Sequence, residues 1–148
     1  MPYCLDTNVL LRWTEPGTPM CEQARVAVKA LRAQGEAVSI LPQNIVEFWA
    51  AATRPPSANG LGLTPAQADA EIGKLEALFP LLADTPMIHP EWRRLVVSCG
   101  VSGIQAHDAR IAAALRTHGV THLLTFNVRD FKRYGVSAVL PLDVPIAP

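Results

Sequence analysis

Short apolar runs and helical stripes alternate along this chain. Tyr3 to Leu10 reads as a buried strand whose apolar start closes at a turn around Asp6. Thr18-Pro19 then supplies an N-cap and a first-turn proline, after which Ala24, Ala27, Val28 and Leu31 recur at helical spacing up to Gly35. Ala37 to Leu41 predicts a second strand. A helix from Pro42 follows, with Ile45, Phe48, Trp49 and Ala52 inward. The stretch 54–62 holds two prolines and two glycines and reads as an exposed loop. Thr64-Pro65 repeats the cap-plus-proline signal ahead of Ala68, Ile72, Leu75 and Phe79, and His89-Pro90 opens a helix with Trp92, Leu95, Val96 and Cys99 inward and Gly100 as its stop. An alanine-rich helix around Asp108 comes next. His122 to Phe126 is a strand, 127–135 a turn, and Ser137 to Leu142 the last strand.

Strands separated by helices imply parallel pairing, so the expected fold is α/β, a three-layer α/β/α sandwich with a central, mainly parallel sheet. With no repeats, low-complexity tract or linker, residues 1–148 are expected to form one domain.

That topology says where a site belongs. Ligands of open parallel sheets bind beyond the carboxyl ends of the strands. Asp6 follows the first strand's apolar start, Glu47 lies one turn into the helix after the second, Asp108 in the first turn of its helix, and Thr125-Phe126-Asn127 at the end of a later strand. A carboxylate embedded in an apolar run has to be paired, hydrogen-bonded, protonated or bound to a metal, because burying a bare charge is costly. The three acids read together as one metal site. Each has a plainer reading. Asp6 suits an Asx-type turn with Thr7 or Asn8, Glu47 an outer helix face, and Asp108 a helix cap. Against the last, the neighbours of Asp108 at three, four and seven residues on are Ile111, Ala112 and Leu115, which puts its carboxylate on the inward stripe.

Composition changes this picture little. The chain has 148 residues, 49% hydrophobic and 18% charged, and a net charge of zero, which is globular and advertises no polyanionic partner. The distribution says more: from Thr85 onward seven basic residues face four acidic ones, so neutralising Asp108 and Asp130 with a cation leaves a modestly basic half. Arg129, Lys132 and Arg133 are candidates to meet phosphates, or simply a solvated face. Cys4, Cys21 and Cys99 lack any paired spacing and read as reduced thiols. No apolar run is long enough to span a bilayer and the N-terminus lacks a signal-peptide layout, so the expected location is cytoplasmic, with no membrane partner.

Four segments together resemble the PIN domain family, and within it the VapC-type toxin nucleases: Leu5-Asp6-Thr7-Asn8-Val9-Leu10, Asn44-Ile45-Val46-Glu47-Phe48, Ala106-His107-Asp108-Ala109-Arg110-Ile111-Ala112-Ala113, and Leu124-Thr125-Phe126-Asn127-Val128-Arg129-Asp130-Phe131. The resemblance covers essentially the whole chain. It implies a Mg²⁺- or Mn²⁺-dependent endoribonuclease that is the toxin of a toxin–antitoxin pair, with an RNA substrate, a cognate antitoxin protein and a homodimeric state. It makes Asp6 and Asp108 the principal metal ligands and Glu47 the completing acid, whose work is water orientation, general-base help or a second ion. Many family members carry a fourth acid where this chain has Asn127. Either Asp130 substitutes, or a second ion binds more weakly, or Asn127 and Thr125 orient a metal-bound water. Asn8 and Thr7 are expected to brace the Asp6 loop.

Hard oxygen donors of this kind suit Mg²⁺, which takes one or two carboxylates and keeps several waters. Two other classes compete. A haloacid-dehalogenase-like phosphatase also begins with an Asp after its first strand but typically needs another two residues on, where Asn8 stands. A non-catalytic interaction module of the same fold has no need of the three acids. His107 is read as a surface or packing residue, and Trp13, Trp49 and Trp92 as core or interface anchors.

Overall fold

The computed structural model describes residues 1–146. Its four strands are β1 (Tyr3–Leu5), β2 (Val38–Ser39), β3 (His122–Leu124) and β4 (Ser137–Val139), arranged β2-β1-β3-β4 with every pairing parallel. The six α-helices are α1 (Thr7–Trp13), α2 (Pro19–Ala33), α3 (Pro42–Thr53), α4 (Pro65–Leu78), α5 (Ile88–Ser98) and α6 (Gln105–Thr117).

Strand alternation builds the layers. Successive side chains leave opposite faces of a strand. Tyr3 and Leu5 of β1 and Leu124 of β3 join one core with Val9, Leu10, Val28, Leu31, Phe48 and Leu75 from α1–α4. Cys4 and Leu123 point the other way, into a second core with Leu95 of α5, Ile111, Ala112 and Leu115 of α6, Phe131 and Tyr134. The sheet thus lies between two helical layers, as the strand–helix order predicts.

Four details depart from the sequence reading. The first strand ends at Leu5 and residues 7–13 are helical, so the Tyr3–Leu10 strand is really a strand and a helix. Val9 and Leu10 are adjacent and both buried in the same core as Leu5, whereas adjacent strand residues leave opposite faces of the sheet and consecutive helix residues can share one side. The second strand is only Val38–Ser39, because Ile40 turns away to exchange backbone hydrogen bonds with Pro80 and Leu82 at 2.9 Å each. The later strands are also short: β3 stops at Leu124 rather than Phe126, and β4 at Val139 rather than Leu142. Trp49 is 36% exposed instead of inward. The buried stripe of α3 runs through Asn44, Phe48, Ala51 and Ala52, with a polar residue at its head.

The expected loop at 54–62 closes the end of α3. Gly62 donates to the Arg54 carbonyl at 2.8 Å and Leu63 to that of Ala52 at 2.9 Å, satisfying carbonyls a helix end leaves open. Among the described residues no helix is long and apolar enough to cross a membrane.

Candidate active site

Asp6 and Thr125 are the residues immediately after β1 and β3, whose register pairs Leu5 with Leu124. Both therefore emerge side by side at the carboxyl edge of the sheet. The Asp6 N–H donates to the Leu124 carbonyl at 2.9 Å, extending the ladder one step. The Asp6 side chain then turns back. Its Oδ1 accepts from the Thr7 N–H at 2.8 Å, capping α1, and its Oδ2 accepts from the Thr125 hydroxyl at 2.8 Å.

Thr125 is the hub of the loop behind this pair. Its Oγ1 also accepts from Asn8 Nδ2 at 3.2 Å and from the Asn127 N–H at 3.0 Å, while Asn8 Oδ1 accepts from the Phe126 N–H at 3.2 Å. Asn8 is accordingly a strut between α1 and the loop after β3. Asn127 enters the network through its backbone, at the head of the 3₁₀ turn Val128–Phe131 that carries Asp130.

Glu47 is held from two sides. Thr7 Oγ1 donates to its Oε1 at 3.0 Å and Gln43 Nε2 to its Oε2 at 3.2 Å. Behind Thr7 stands Asn44, fully buried, whose Nδ2 donates to Thr7 Oγ1 at 3.3 Å and whose Oδ1 accepts from the Leu41 N–H at 3.0 Å. Glu47 is thus not a free surface acid. Asn44 and Gln43 escaped the sequence reading; the readable signal was that Asn44 sits four residues before buried Phe48, on the core stripe.

Asp108 lies in the first turn of α6 but does not cap it. Ile104 holds the cap position and forms no side-chain cap bond. The half-buried carboxylate faces the edge where Asp6 emerges.

Electrostatics tie the four acids together. Burial pushes the Asp6 carboxyl up to about 6; the hydrogen bonds from Thr125 and Thr7 oppose this, and the charges of Glu47 and Asp130 add to it. Asp108 is likewise pushed up to about 6, first by burial and then by Asp6, Asp130 and Glu47, with His107 pulling the other way. The structure thus brings Asp6, Glu47, Asp108 and Asp130 within mutual electrostatic reach, Asp130 on the exposed rim. Of the basic candidates, Arg133 is committed elsewhere, to the Cys99 carbonyl, Gln105 and the Tyr134 ring, while Arg129 and Lys132 are exposed.

Among the described residues no three His, Cys, Asp or Glu side chains gather tightly enough to cage a metal ion by themselves. The donor chemistry nonetheless fits Mg²⁺ or Mn²⁺: all donors are oxygens, and such ions bind through one or two carboxylates while retaining water. Asp6, buried, and Asp108, half-buried, are the carboxylates pushed upward by burial that a cation here would neutralise.

The sequence matches the PIN domain family over residues 3–136. The chain belongs to the PIN domain family. Comparison with curated proteins finds no significant match. Among solved structures, this PIN domain superposes on VapBC2 from Rickettsia felis bound to a promoter DNA fragment, with a TM-score of 0.72 at 15% identity over 95% of this chain and 98% of that one. FitAcB from Neisseria gonorrhoeae gives 0.65 at 21% identity over 94% and 97%. VapC20 from Mycobacterium tuberculosis, a sarcin-ricin-loop-cleaving toxin, gives 0.59 at 17% over 86% and 92%. At these identities the likeness is one of fold, and it bears out the PIN-like three-layer architecture.

Proposed function

We propose that this PIN domain, a single domain over the whole chain, is a Mg²⁺- or Mn²⁺-dependent endoribonuclease and the toxin of a toxin–antitoxin pair. The observation that carries the reading is the convergence of four acids from four separate segments on one sheet edge, two of them pushed up to about 6. Such crowding is unfavourable for a purely structural network and suits a site completed by a cation.

Asp6 and Asp108 would hold the ion, with Asp130 at the rim taking the fourth acidic role that Asn127 leaves open. When bound, the ion lowers the pKa of a water and offsets charge building on the phosphate. The protein's own groups do the rest. The Thr125 hydroxyl and the Thr7 N–H fix both Asp6 oxygens. Thr7 and Gln43 fix both Glu47 oxygens, so that Glu47 orients the attacking water and takes its proton at a carboxylate oxygen. Asn8 and Thr125 set the loop geometry rather than touching substrate. Arg129 and Lys132 are placed to meet phosphate oxygens.

Among the structural neighbours, VapC20 is a toxin that cleaves the sarcin-ricin loop, and this supports RNA as substrate. The VapBC and FitAB neighbours support a cognate antitoxin, which in this proposal covers the acidic edge. A homodimer in the cytoplasm completes the proposal. The phosphatase reading is disfavoured because Asn8, at the position of its second acid, is consumed by Thr125 and Phe126.

The test is incubation of the purified protein with a mixed RNA pool and with small phosphate monoesters, in Mg²⁺, in Mn²⁺ and in EDTA. Internal RNA cleavage only with metal is the expected result. Phosphate release from monoesters without RNA cleavage contradicts it.

A further inference from the structure

A cleft of about 370 Å³ opens beside Glu47, between the start of α3 and the first turns of α6. Pro42, Gln43, Val46, Glu47, His107 and Arg110 line it together with Asp84. It is large enough for one nucleobase and touches a proposed catalytic acid, yet of its other residues the proposed chemistry uses only Gln43, as a brace for Glu47.

Its polar floor is a fixed array. Gln43 Oε1 accepts from Arg110 Nη1 at 3.1 Å, while Gln43 Nε2 donates to the His107 carbonyl at 2.8 Å and to Glu47 Oε2 at 3.2 Å. Turning the amide over would set NH₂ against a guanidinium and oxygen against two acceptors, so this orientation is forced. Arg110 Nη2 lies 3.7 Å from Asp84 Oδ1, too long for a good hydrogen bond, and both side chains remain partly exposed. The guanidinium therefore keeps several N–H donors, and the carboxylate most of its acceptor capacity, facing the cleft. Val46, 68% exposed, and Pro42 supply an apolar wall for the face of a ring.

We propose that this cleft is a base-recognition subsite that takes a guanine of single-stranded RNA next to the scissile phosphate. The inference rests on the nuclease reading above. Guanine presents an acceptor, O6, beside two neighbouring donors, N1–H and N2–H. Of the four bases it alone can give the Arg110 guanidinium an acceptor while filling both oxygens of Asp84 in one plane. Arginine is also the usual partner of guanine O6. Recognition of an unstacked base along its Watson–Crick edge is the common way of reading single-stranded RNA. Gln43 links this subsite to catalysis, since the same amide that positions Arg110 holds Glu47.

The test has two arms, each with wild type, Arg110→Lys, Arg110→Ala and Asp84→Ala, all checked by thermal melting. In the first, cleavage sites are mapped on a randomised RNA library in Mg²⁺ and Mn²⁺. Wild type should cut with guanine enriched at one fixed position beside the cut. The variants should still cut but lose that enrichment at least tenfold, Arg110→Lys included, because an ammonium lacks the planar fork. Cleavage with no base preference, with a preference for another base, or with a guanine preference the variants retain overturns the subsite and leaves the nuclease reading standing. In the second arm, binding of uracil hexaribonucleotides carrying one central G, A or C is measured in EDTA. Tighter binding of the G hexamer, about tenfold and lost in the variants, supports the subsite even if no RNA is cleaved and the nuclease reading fails. Equal binding of all hexamers overturns it.

Discussion

The Thr125 hydroxyl donates to Asp6 Oδ2 at 2.8 Å, joining the residues that follow two adjacent parallel strands. The same oxygen accepts from Asn8 and from the Asn127 backbone, so one hydroxyl fixes the carboxylate, the first helix and the loop that carries Asp130.

Replacing Thr125 with Val should therefore leave Asp6 and Asn8 short of a partner in a buried setting. The expected cost is about 1–3 kcal/mol of stability, with RNA cleavage falling more than stability alone explains because Asp6 is no longer held. Thr125→Ser should keep most of both. Chemical denaturation and cleavage rates on the three proteins check this; a Val variant with wild-type activity would remove Thr125 from the site.

Metal-free stability should depend on pH in a direction set by Asp6 and Asp108. Their folded carboxyls sit at about 6, against an ordinary 3.8. The folded state thus holds protons more tightly than the unfolded chain, and this contribution is full below about pH 4 and lost as pH rises through 6. In EDTA the melting temperature should fall between pH 5 and 7. Asp108→Asn should flatten the decline and melt at or above wild type at pH 7, whereas Mg²⁺ or Mn²⁺ should raise wild type far more than the variant. A mutant clearly less stable than wild type in EDTA contradicts the crowded-carboxylate account.

How far the sequence showed this site depends on the residue. Asp6, Glu47 and Asp108 stood out because each interrupts an apolar run, and strand–helix alternation placed them on one edge. The helix at Thr7–Trp13 did not stand out. Tyr3-Cys4-Leu5 and Val9-Leu10-Leu11 are apolar runs separated only by Asp6-Thr7-Asn8, and that polar tripeptide is as compatible with a turn as with the helix start that Asp6 caps. Trp49 was misplaced because Asn44 heads the buried stripe of α3, and a buried amide satisfied by Leu41, Thr7 and Cys4 has no signature in hydropathy. Gln43 was invisible for a related reason: its partners Glu47, His107 and Arg110 meet only when α3 packs beside α6.

A network away from the site offers a check on the second layer. Glu91 of α5 accepts from Arg94 at 3.0 and 2.6 Å and from Arg116 of α6 at 2.8 Å, and these contacts, Arg94 foremost, hold its carboxyl down to about 2. Because that pKa is lowered, the stabilisation is present above the ordinary 4.5 and fades as pH falls toward 2. Glu91→Gln should cost about 1 kcal/mol at neutral pH, and its melting difference from wild type should shrink near pH 3. A difference independent of pH contradicts the charge network.

Gly135 tests the same region. Its φ is +72° and an added Cβ would strike the Arg116 guanidinium. Gly135→Ala should destabilise by about 1–2 kcal/mol from backbone strain and, by displacing Arg116, make the further loss from Glu91→Gln smaller than in wild type. A double-mutant cycle measures this; additive effects would show that Arg116 relocates without cost.

The central claim is that Asp6 and Asp108 hold a divalent ion for RNA cleavage, and cleavage rates of a mixed RNA pool by Asp6→Asn and Asp108→Asn in Mg²⁺ and in Mn²⁺ test it most directly. With both variants shown folded by melting and circular dichroism, the account predicts losses of about a hundredfold or more, since removing even an outer partner of a metal site typically costs 10–100-fold. Cleavage by either folded variant at the wild-type rate would contradict it.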